Sequence, residues 1–325
     1  MHSAGSPLCS RLPRWGLKRG QVYFVQIRAT NSAGYGPKGT RVAHETIAAQ
    51  ASLPAGSPQH RVMTWNICSN ACSSIATRAR VINQRITEVK PDLVAMQEAS
   101  RYTKAPAGYR HVHNGQADIL VRKGVYSLVS KNSKGRTTGT ARFASKYATS
   151  GKGMAWAALK HKTGSYMLVV NTHLVYGNTT SAVKQREYEA GRLPYFLRNT
   201  LRKLNATHGH VTDWTKAPVV VLGDFNTHKS RSGDDSQQIL ENMGWHDSYD
   251  QARRLSGQHR NTANPDFSTT PVIGGVWGDH VDKVLVKPRR TVVYGWANVG
   301  KMKNGKYVAP LGSDHHPLVV RLGLA

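Results

Sequence analysis

Val219-Val220-Val221-Leu222-Gly223-Asp224-Phe225-Asn226 is an aliphatic run that stops abruptly on a glycine, a carboxylate and an amide. The run reads as a strand, and polar residues at a strand end are where a rigid scaffold displays catalytic groups. The arrangement recurs along the chain. Trp65 is followed by Asn66, Met96 by Gln97-Glu98, and Val170 by Asn171-Thr172-His173. Trp277-Gly278-Asp279-His280-Val281-Asp282 and Gly312-Ser313-Asp314-His315-His316-Pro317 each lead into a further apolar run. Strands are expected at 62–65, 93–96, 119–121, 155–159, 167–171, 219–222, 281–286 and 318–320, with helices between them, which predicts an α/β chain with packed sheets. Ile82, Ile86 and Val89 share one face of a helix over 77–89. A longer helix is expected over about 182–204, kinked or interrupted at Pro194.

Bulk composition narrows the function classes. Of 325 residues, 39% are hydrophobic and 19% charged, the balance of a globular chain. No apolar run approaches the roughly 20 residues of a membrane-spanning helix. Lys and Arg number 45 against 18 Asp and Glu, a formal charge of +27. Such a surface attracts phosphate polymers, and neutralising phosphates releases counterions and makes binding salt-dependent. Three cysteines are too few for a disulfide scaffold and lack zinc-site spacing. Cys68 and Cys72 are close enough along a loop to bridge in an oxidising compartment.

The first 48 residues read differently from the rest. Val22-Tyr23-Phe24-Val25-Gln26-Ile27-Arg28-Ala29, then Asn31-Ser32-Ala33-Gly34-Tyr35-Gly36-Pro37, predict a strand, a turn and a second strand. Residues 49–60, rich in Pro, Ala, Ser and Gly, read as a linker, and 61–325 as the main domain. The opening residues carry Arg11, Arg14, Lys18 and Arg19 without the apolar core of a secretory signal.

The polar residues suggest a reaction. Glu98, Asp224 and Asp314 are hard oxygen ligands of the kind Mg²⁺ or Mn²⁺ prefers, and Asn66 and Asn226 add amides able to hold a water or a phosphate oxygen. His173 and His315 titrate near neutrality, and Asp282 is a carboxylate able to orient one ring. Taken singly, each is more often a turn former or helix cap; it is the ordered set that points to hydrolysis at phosphorus. His246, His259 and His316 read as loop or surface histidines, and Arg142, Lys146 and Lys152 as a solvated basic loop.

Thr64-Trp65-Asn66, Gln97-Glu98, Asn171-Thr172-His173-Leu174, Gly223-Asp224-Phe225-Asn226, Asp282-Lys283-Val284 and Ser313-Asp314-His315-His316-Pro317 together resemble, in order, the motifs of the DNase I-like endonuclease/exonuclease/phosphatase superfamily. The resemblance implies a four-layered α/β sandwich, two packed mixed β-sheets flanked by helices, with the site at one end. It implies Glu98 as the principal Mg²⁺ (or Mn²⁺) ligand with Asn66 nearby, Asp314 supporting the metal site, and Asp224 orienting and deprotonating the attacking water. Asn226 would bind the scissile phosphate. His315, paired with Asp282, would stabilise the phosphorane-like state or move a proton, and His173 would stabilise phosphate oxygens or protonate the leaving group. The opening segment resembles the last two strands of a fibronectin type III domain, the earlier strands being absent. That tail and the cysteine pair point to secretion, the absence of a secretory signal points away from it, and the missing earlier strands are expected to reflect a truncated or misplaced start.

Some DNA-repair relatives carry an acidic residue two positions after the first Asn; Cys68 stands there in this chain, which argues against abasic-site activity. His173 resembles the DNase I and sphingomyelinase branches. The leading expectation is a nuclease of low sequence specificity with nucleic acid as substrate. A phospholipid (sphingomyelinase-like) or inositol-phosphate phosphodiesterase is the alternative, and it would need an exposed apolar loop for the headgroup surface; Tyr147, Trp156 and Trp277 are too scattered to form one. A non-catalytic binding role is disfavoured because Glu98, Asp224 and His315 are all present.

Overall fold

A run such as Leu93-Val94-Ala95-Met96 has no polar face, so a strand made of it needs apolar cover on both sides. The computed structural model describes strand residues 22–25, 28–31, 34–38 and 42–45, and residues 49–130, 135–229, 231–274 and 279–325. They divide into two units, Met1–Ala49 and Gln50–Ala325.

In the first unit, β1 (Val22–Val25) pairs antiparallel with β4 (Val42–Glu45), and β2 (Arg28–Asn31) with β3 (Gly34–Lys38). The remainder of the fibronectin-like segment, like Trp277 and Gly278, lies outside the described residues.

The second unit holds two seven-stranded mixed sheets. The first comprises β5 (Gln59–Asn66), β6 (Leu93–Gln97), β7 (Tyr109–His113), β8 (Ala117–Arg122), β15 (Leu255–Ser256), β17 (Thr291–Asn298) and β20 (Leu318–Leu324), in the order β15-β17-β20-β5-β6-β8-β7. The second comprises β9 (Tyr126–Leu128), β10 (Thr138–Arg142), β11 (Gly153–His161), β12 (Tyr166–His173), β13 (Val219–Asp224), β14 (His246–Asp247) and β16 (Asp282–Val286). Its order is β10-β11-β12-β13-β16-β14, with β9 also on β11. A small hairpin, β18 (Met302–Lys303) with β19 (Lys306–Tyr307), stands apart. Gln59 and His60, at the end of the expected linker, are the first residues of β5.

Each sheet contains one parallel pair joined through a helix. β5 passes through α1 (Ile75–Val89) to β6, and β12 through α2 (Thr180–His208) to β13. Two shorter helices follow, α3 (Ser236–Asn242) and α4 (Ser248–Gln251). Side chains alternate along each strand: Val62, Leu93 and Ala95 meet Val169, Val220 and Leu222 between the sheets, whereas Met63, Val94 and Met96 turn outward to Ile82 and Ile86 of α1. Leu193, Leu197 and Leu204 of α2 cover the outer face of the second sheet at Leu168, Val170 and Val221. The layers are therefore helix, sheet, sheet, helix, as expected. Burying each such aliphatic side chain contributes roughly 1.5–3 kcal/mol.

All eight expected runs fall in strands, except that Val281 lies just before the start of β16. Those the pattern misses are an edge strand with polar faces, Tyr-Arg-His-Val-His of β7, and strands with weak patterning, such as β17, whose pairing shifts register between Val293 and Gly295. Instead of breaking at Pro194, α2 continues to His208, held on the sheet by leucines on both sides of the proline.

Among the described residues, His60, His280 and His316 are buried neutral outside the catalytic network. His60 packs against Tyr126 and His161, and burial together with His161 lowers its pKa to about 4. His280 lies against Trp296 and Tyr249; burial and Lys283 lower it to about 4. His316, expected at the surface, instead stacks on Tyr307 at 3.5 Å between ring centres, and burial with His315 lowers it to about 3. An unfolded histidine takes up a proton below about pH 6.5, but these do not until far lower, so stability falls as pH drops from 6.5 toward 4. Each contributes a loss of roughly 1–2 kcal/mol at about pH 5. Urea unfolding should show a lower midpoint at about pH 5 than at 7.5, and equal midpoints would contradict the neutral burial.

Candidate active site

Asn66, Gln97 and Asp224 are the last residues of β5, β6 and β13, and His173 is the last of β12. β5 and β6 run parallel in one sheet and β12 and β13 in the other, and the Asn66–Asp224 hydrogen bond brings the carboxyl ends of the two pairs to the same end of the fold, where open α/β sheets bind ligands. The registers fix this: Asn66 lies opposite Gln97, His173 opposite Asp224, and Asp224 opposite Asp282 of the antiparallel β16.

Beneath the site the two sheets are tied by amides. Gln97 Nε2 donates to Asn171 Oδ1 (2.7 Å) and Thr64 Oγ1 (3.1 Å), and Asn171 Nδ2 donates to the carbonyls of Met96 and Asp118 (both 2.8 Å). These fully buried groups are satisfied across the sandwich. They hold Glu98 and His173, each close along the chain, in fixed relation. Gly223 is required by close approach: a Cβ there would sit 2.0 Å from the Thr172 carbonyl oxygen.

Asp224 is the hub. It is 1% exposed; Oδ1 accepts from the Asn226 N–H (2.9 Å) and Oδ2 from Asn66 Nδ2 (3.0 Å). His173 Nε2 lies 3.6 Å and His315 Nε2 3.9 Å from Oδ2, beyond direct hydrogen bonding. His315 Nδ1 meets Asp282 Oδ2 at 2.8 Å. Burial disfavours a charged His315, but the Asp282 and Asp224 carboxylates outweigh it and push the pKa up to about 10. Burial also raises the Asp282 pKa, against His315. Both shifts have one consequence: the pair keeps a proton across the neutral range. His173 behaves oppositely, its pKa lowered by burial against the pull of Asp224. Asn226 Nδ2 donates to the Leu174 carbonyl (2.9 Å) and faces His173 Nε2 at 3.1 Å, so that ring nitrogen is an acceptor.

Glu98 and Asn226 adopt left-handed backbone conformations, φ 53° and 51°. A non-glycine residue held there costs on the order of 1–3 kcal/mol and such positions cluster at functional sites. Glu98 Oε1 accepts from Asn66 Nδ2 (3.2 Å), and among the described residues no cation pairs with it. An unneutralised carboxylate beside Asp224, in a chain of charge +27, suits a hard divalent ion. Asn66 turns its nitrogen to both carboxylates, since its oxygen accepts from the Cys68 N–H (3.0 Å). Asp314 accepts from Ser313 Oγ (3.0 Å) and lies beside the Cys68 and Cys72 sulfurs, which form a disulfide. Thus the structure joins Asn66, Glu98, Asp224, Asn226, His173, His315 and Asp282 in one network, with Asp314 at its margin. Lys283 points elsewhere, its ammonium spent on Asp247 (3.1 Å) and the His280 carbonyl.

No local pattern marks the residues that brace this network. Arg78 of α1, 8% exposed, donates to the carbonyls of Ile67 (2.8 Å), Cys68 (2.8 Å), Ser73 (2.8 Å) and Gly312 (2.7 Å). It joins the loop after Asn66 to the loop before His315. On α2, Glu189 accepts from the Lys152 and Val175 N–H groups (2.8 and 3.0 Å), and Arg186 donates to the Val175 carbonyl (2.7 Å) and to Asp234. Lys152 of the basic loop stands near enough to His173 to oppose its protonation. Arg78→Met should cost about 3–5 kcal/mol in urea unfolding, because four carbonyls lose a charged donor. A loss under about 1 kcal/mol would show that water replaces the guanidinium.

The fold and this network define a phosphoester hydrolase of the DNase I-like kind. The chain belongs to the endonuclease/exonuclease/phosphatase family, whose model matches residues 63–315. Among solved structures it is similar to an endonuclease/exonuclease/phosphatase family protein from Bacteroides thetaiotaomicron, at 18% identity and TM-score 0.61, covering 83% of this chain and 99% of that one. It is similar to a mannosyl-6-phosphatase of the same organism at 18% and 0.59, covering 81% and 99%. It is also similar to D. rerio TDP2 complexed with single-strand DNA product, at 15% and 0.51, covering 81% and 98%. No curated protein matches the sequence.

Proposed function

We propose that this chain is a divalent-metal-dependent phosphodiesterase, and specifically a nuclease of low sequence specificity. The observation that carries the reading is the pair of oppositely tuned histidines flanking Asp224: His315 holding a proton against Asp282, His173 neutral with its Nε2 lone pair toward Asn226.

Asp224 Oδ2 takes the proton of the attacking water as the oxygen approaches phosphorus, a general-base role for a carboxylate fixed by two donors. His315 is the proton source: Nδ1–H is held by Asp282, leaving Nε2–H to stabilise the crowded phosphoryl oxygens or to protonate the departing oxygen. His173 Nε2, an acceptor here, positions Asn226, whose amide exchanges that contact for a phosphate oxygen when substrate arrives. Glu98 would hold Mg²⁺ or Mn²⁺ with Asp314 in support, and Asn66 would orient Glu98 and Asp224 rather than ligate. When bound, the metal neutralises charge developing on the phosphoryl group and lowers the pKa of its water.

Nucleic acid as substrate rests on the +27 charge and is in keeping with the DNA-bound relative. The Cys68–Cys72 disulfide supports a secreted, oxidising location. A second reading, hydrolysis at a phospholipid surface, is favoured by exposed apolar side chains on loops that join the site's residues: Tyr176 (78% exposed), three residues after His173, and Ile273 (64%), in the loop held by Asn261 and Asn264.

Plasmid DNA, RNA, a phosphomonoester and sphingomyelin vesicles, each assayed with Mg²⁺, Mn²⁺ or EDTA, separate these readings. The expected result is nucleic-acid cleavage that falls at least about 100-fold in EDTA and returns with metal. Turnover of vesicles alone would transfer the assignment to lipid, and undiminished cleavage in EDTA would remove the metal.

A further inference from the structure

β13 runs from Val219 to Asp224, and β16 from Asp282 to Val286, with Lys287 next. Because the two are antiparallel, Asp224 and Asp282 meet at the catalytic end while Val219 and Lys287 lie toward the opposite end of the sheet, about 17 Å away along the strands. A pocket of about 560 Å³ opens there between α2, the start of β13 and the residues after β16. That volume suits a small ligand or one unit of a polymer.

Its lining is strongly one-sided in charge. Arg198, Arg202, Lys287 and Arg290 contribute to it, and no Asp or Glu does. Among the described residues none of the four has an ion-pair partner; the charged neighbour of Lys287 is Arg290, and burial and that repulsion both lower the Lys287 pKa. Arg198 and Arg202 are four apart on α2, a like-charge spacing that weakens a helix. Between these cations is one open aromatic face, Tyr195, 42% exposed with the Arg198 guanidinium 5.1 Å from its ring, above the buried Trp245, which is 3% exposed and has the Lys287 ammonium 5.0 Å away. Cations around an exposed aromatic ring are how proteins hold single strands without reading sequence, phosphates on the charges and a base on the ring. An anionic lipid surface would instead call for a protruding apolar rim, whereas Trp245 and Leu197 are recessed.

We propose that this pocket is an accessory site for single-stranded nucleic acid, placing a base against Tyr195 over the Trp245 floor and the flanking phosphates on Arg198, Arg202, Lys287 and Arg290. The proposal rests on the nuclease reading and deepens it: a strand long enough to reach both ends of the sheet binds at two places, whereas a dinucleotide in the catalytic site does not.

The test uses the full chain carrying Asp224→Asn, so that substrate survives, and measures anisotropy of a labelled oligothymidylate of about 30 nucleotides. Arg198→Gln/Arg202→Gln/Lys287→Gln should raise Kd at least about tenfold and reduce the slope of log K against log salt by about 2, with the melting temperature unchanged. Lys104→Gln/Lys303→Gln/Lys306→Gln, an equal charge loss on other exposed residues, should change Kd less than about threefold. Equal losses in the two variants, or none in the first, would overturn the accessory site, as would loss of binding to phosphatidylglycerol vesicles in place of loss of oligonucleotide binding. If the protein with Asp224 intact cleaves DNA while the pocket variant binds as tightly as its parent, only the accessory site fails. If it neither cleaves nor binds nucleic acid, the nuclease reading fails and the accessory site falls with it.

Discussion

Asp224→Asn should lower kcat on nucleic acid by about 10³-fold or more while leaving the fold in place. The loss combines two functions of one carboxylate. As general base it is expected to contribute 10²–10⁴-fold. As a negative charge near both His173 Nε2 and His315 Nε2, it also sets the field in which those rings hold or release protons. The structural cost is smaller. Both carboxylate oxygens accept from fixed donors, Asn226 N–H and Asn66 Nδ2, and an amide offers only one acceptor, so one donor is left facing an NH₂ group. That costs about 1–3 kcal/mol, a few degrees of melting temperature in a chain this size. Activity above about a tenth of the parent, in a variant that still melts cooperatively, would remove Asp224 from the mechanism.

Asp282→Asn should move the alkaline limit of activity rather than merely scale it down. Asp282 is the main group raising the His315 pKa to about 10. With the raised value, the imidazolium is present through neutral pH and is lost only as pH rises through about 10; its stabilising interaction with Asp282 is likewise full below the unfolded pKa of about 6.5 and fades by about 10. Removing the carboxylate leaves burial, which acts in the opposite direction, so the limit should fall by several pH units, and the variant should be far more active at about pH 6 than at about pH 9 relative to the parent. kcat against pH for both proteins, with kcat/KM alongside, reads this directly. A uniform loss with the alkaline limit unmoved would mean that Asp282 only packs against the ring and that the proton comes from elsewhere.

How much of this was legible in the chain follows from the range over which each residue acts. Runs such as Val219–Leu222 are local, and in a strand covered on both faces they carry no alternation to disturb, so the eight strands and their polar ends could be read in order. The same property explains the failures: β7 has polar faces at an edge, and His316 reads as a surface histidine because the Tyr307 ring that covers it belongs to the β18–β19 hairpin. Sequence by itself determined an α/β chain with packed sheets, the ordered polar set from Asn66 to His315 whose resemblance to a family implies the four layers, and the excess of positive charge. Only the tertiary structure decided what those groups are to one another: which way the Asn66 amide turns, which histidine holds a proton, that Arg78 bridges Ile67 and Gly312 across 245 positions of chain, and that four cations gather at the far end of β13 and β16. The physical reason is that protonation and hydrogen bonding depend on burial and on partners brought together by the strand registers, and neither is carried by the residues next along the chain.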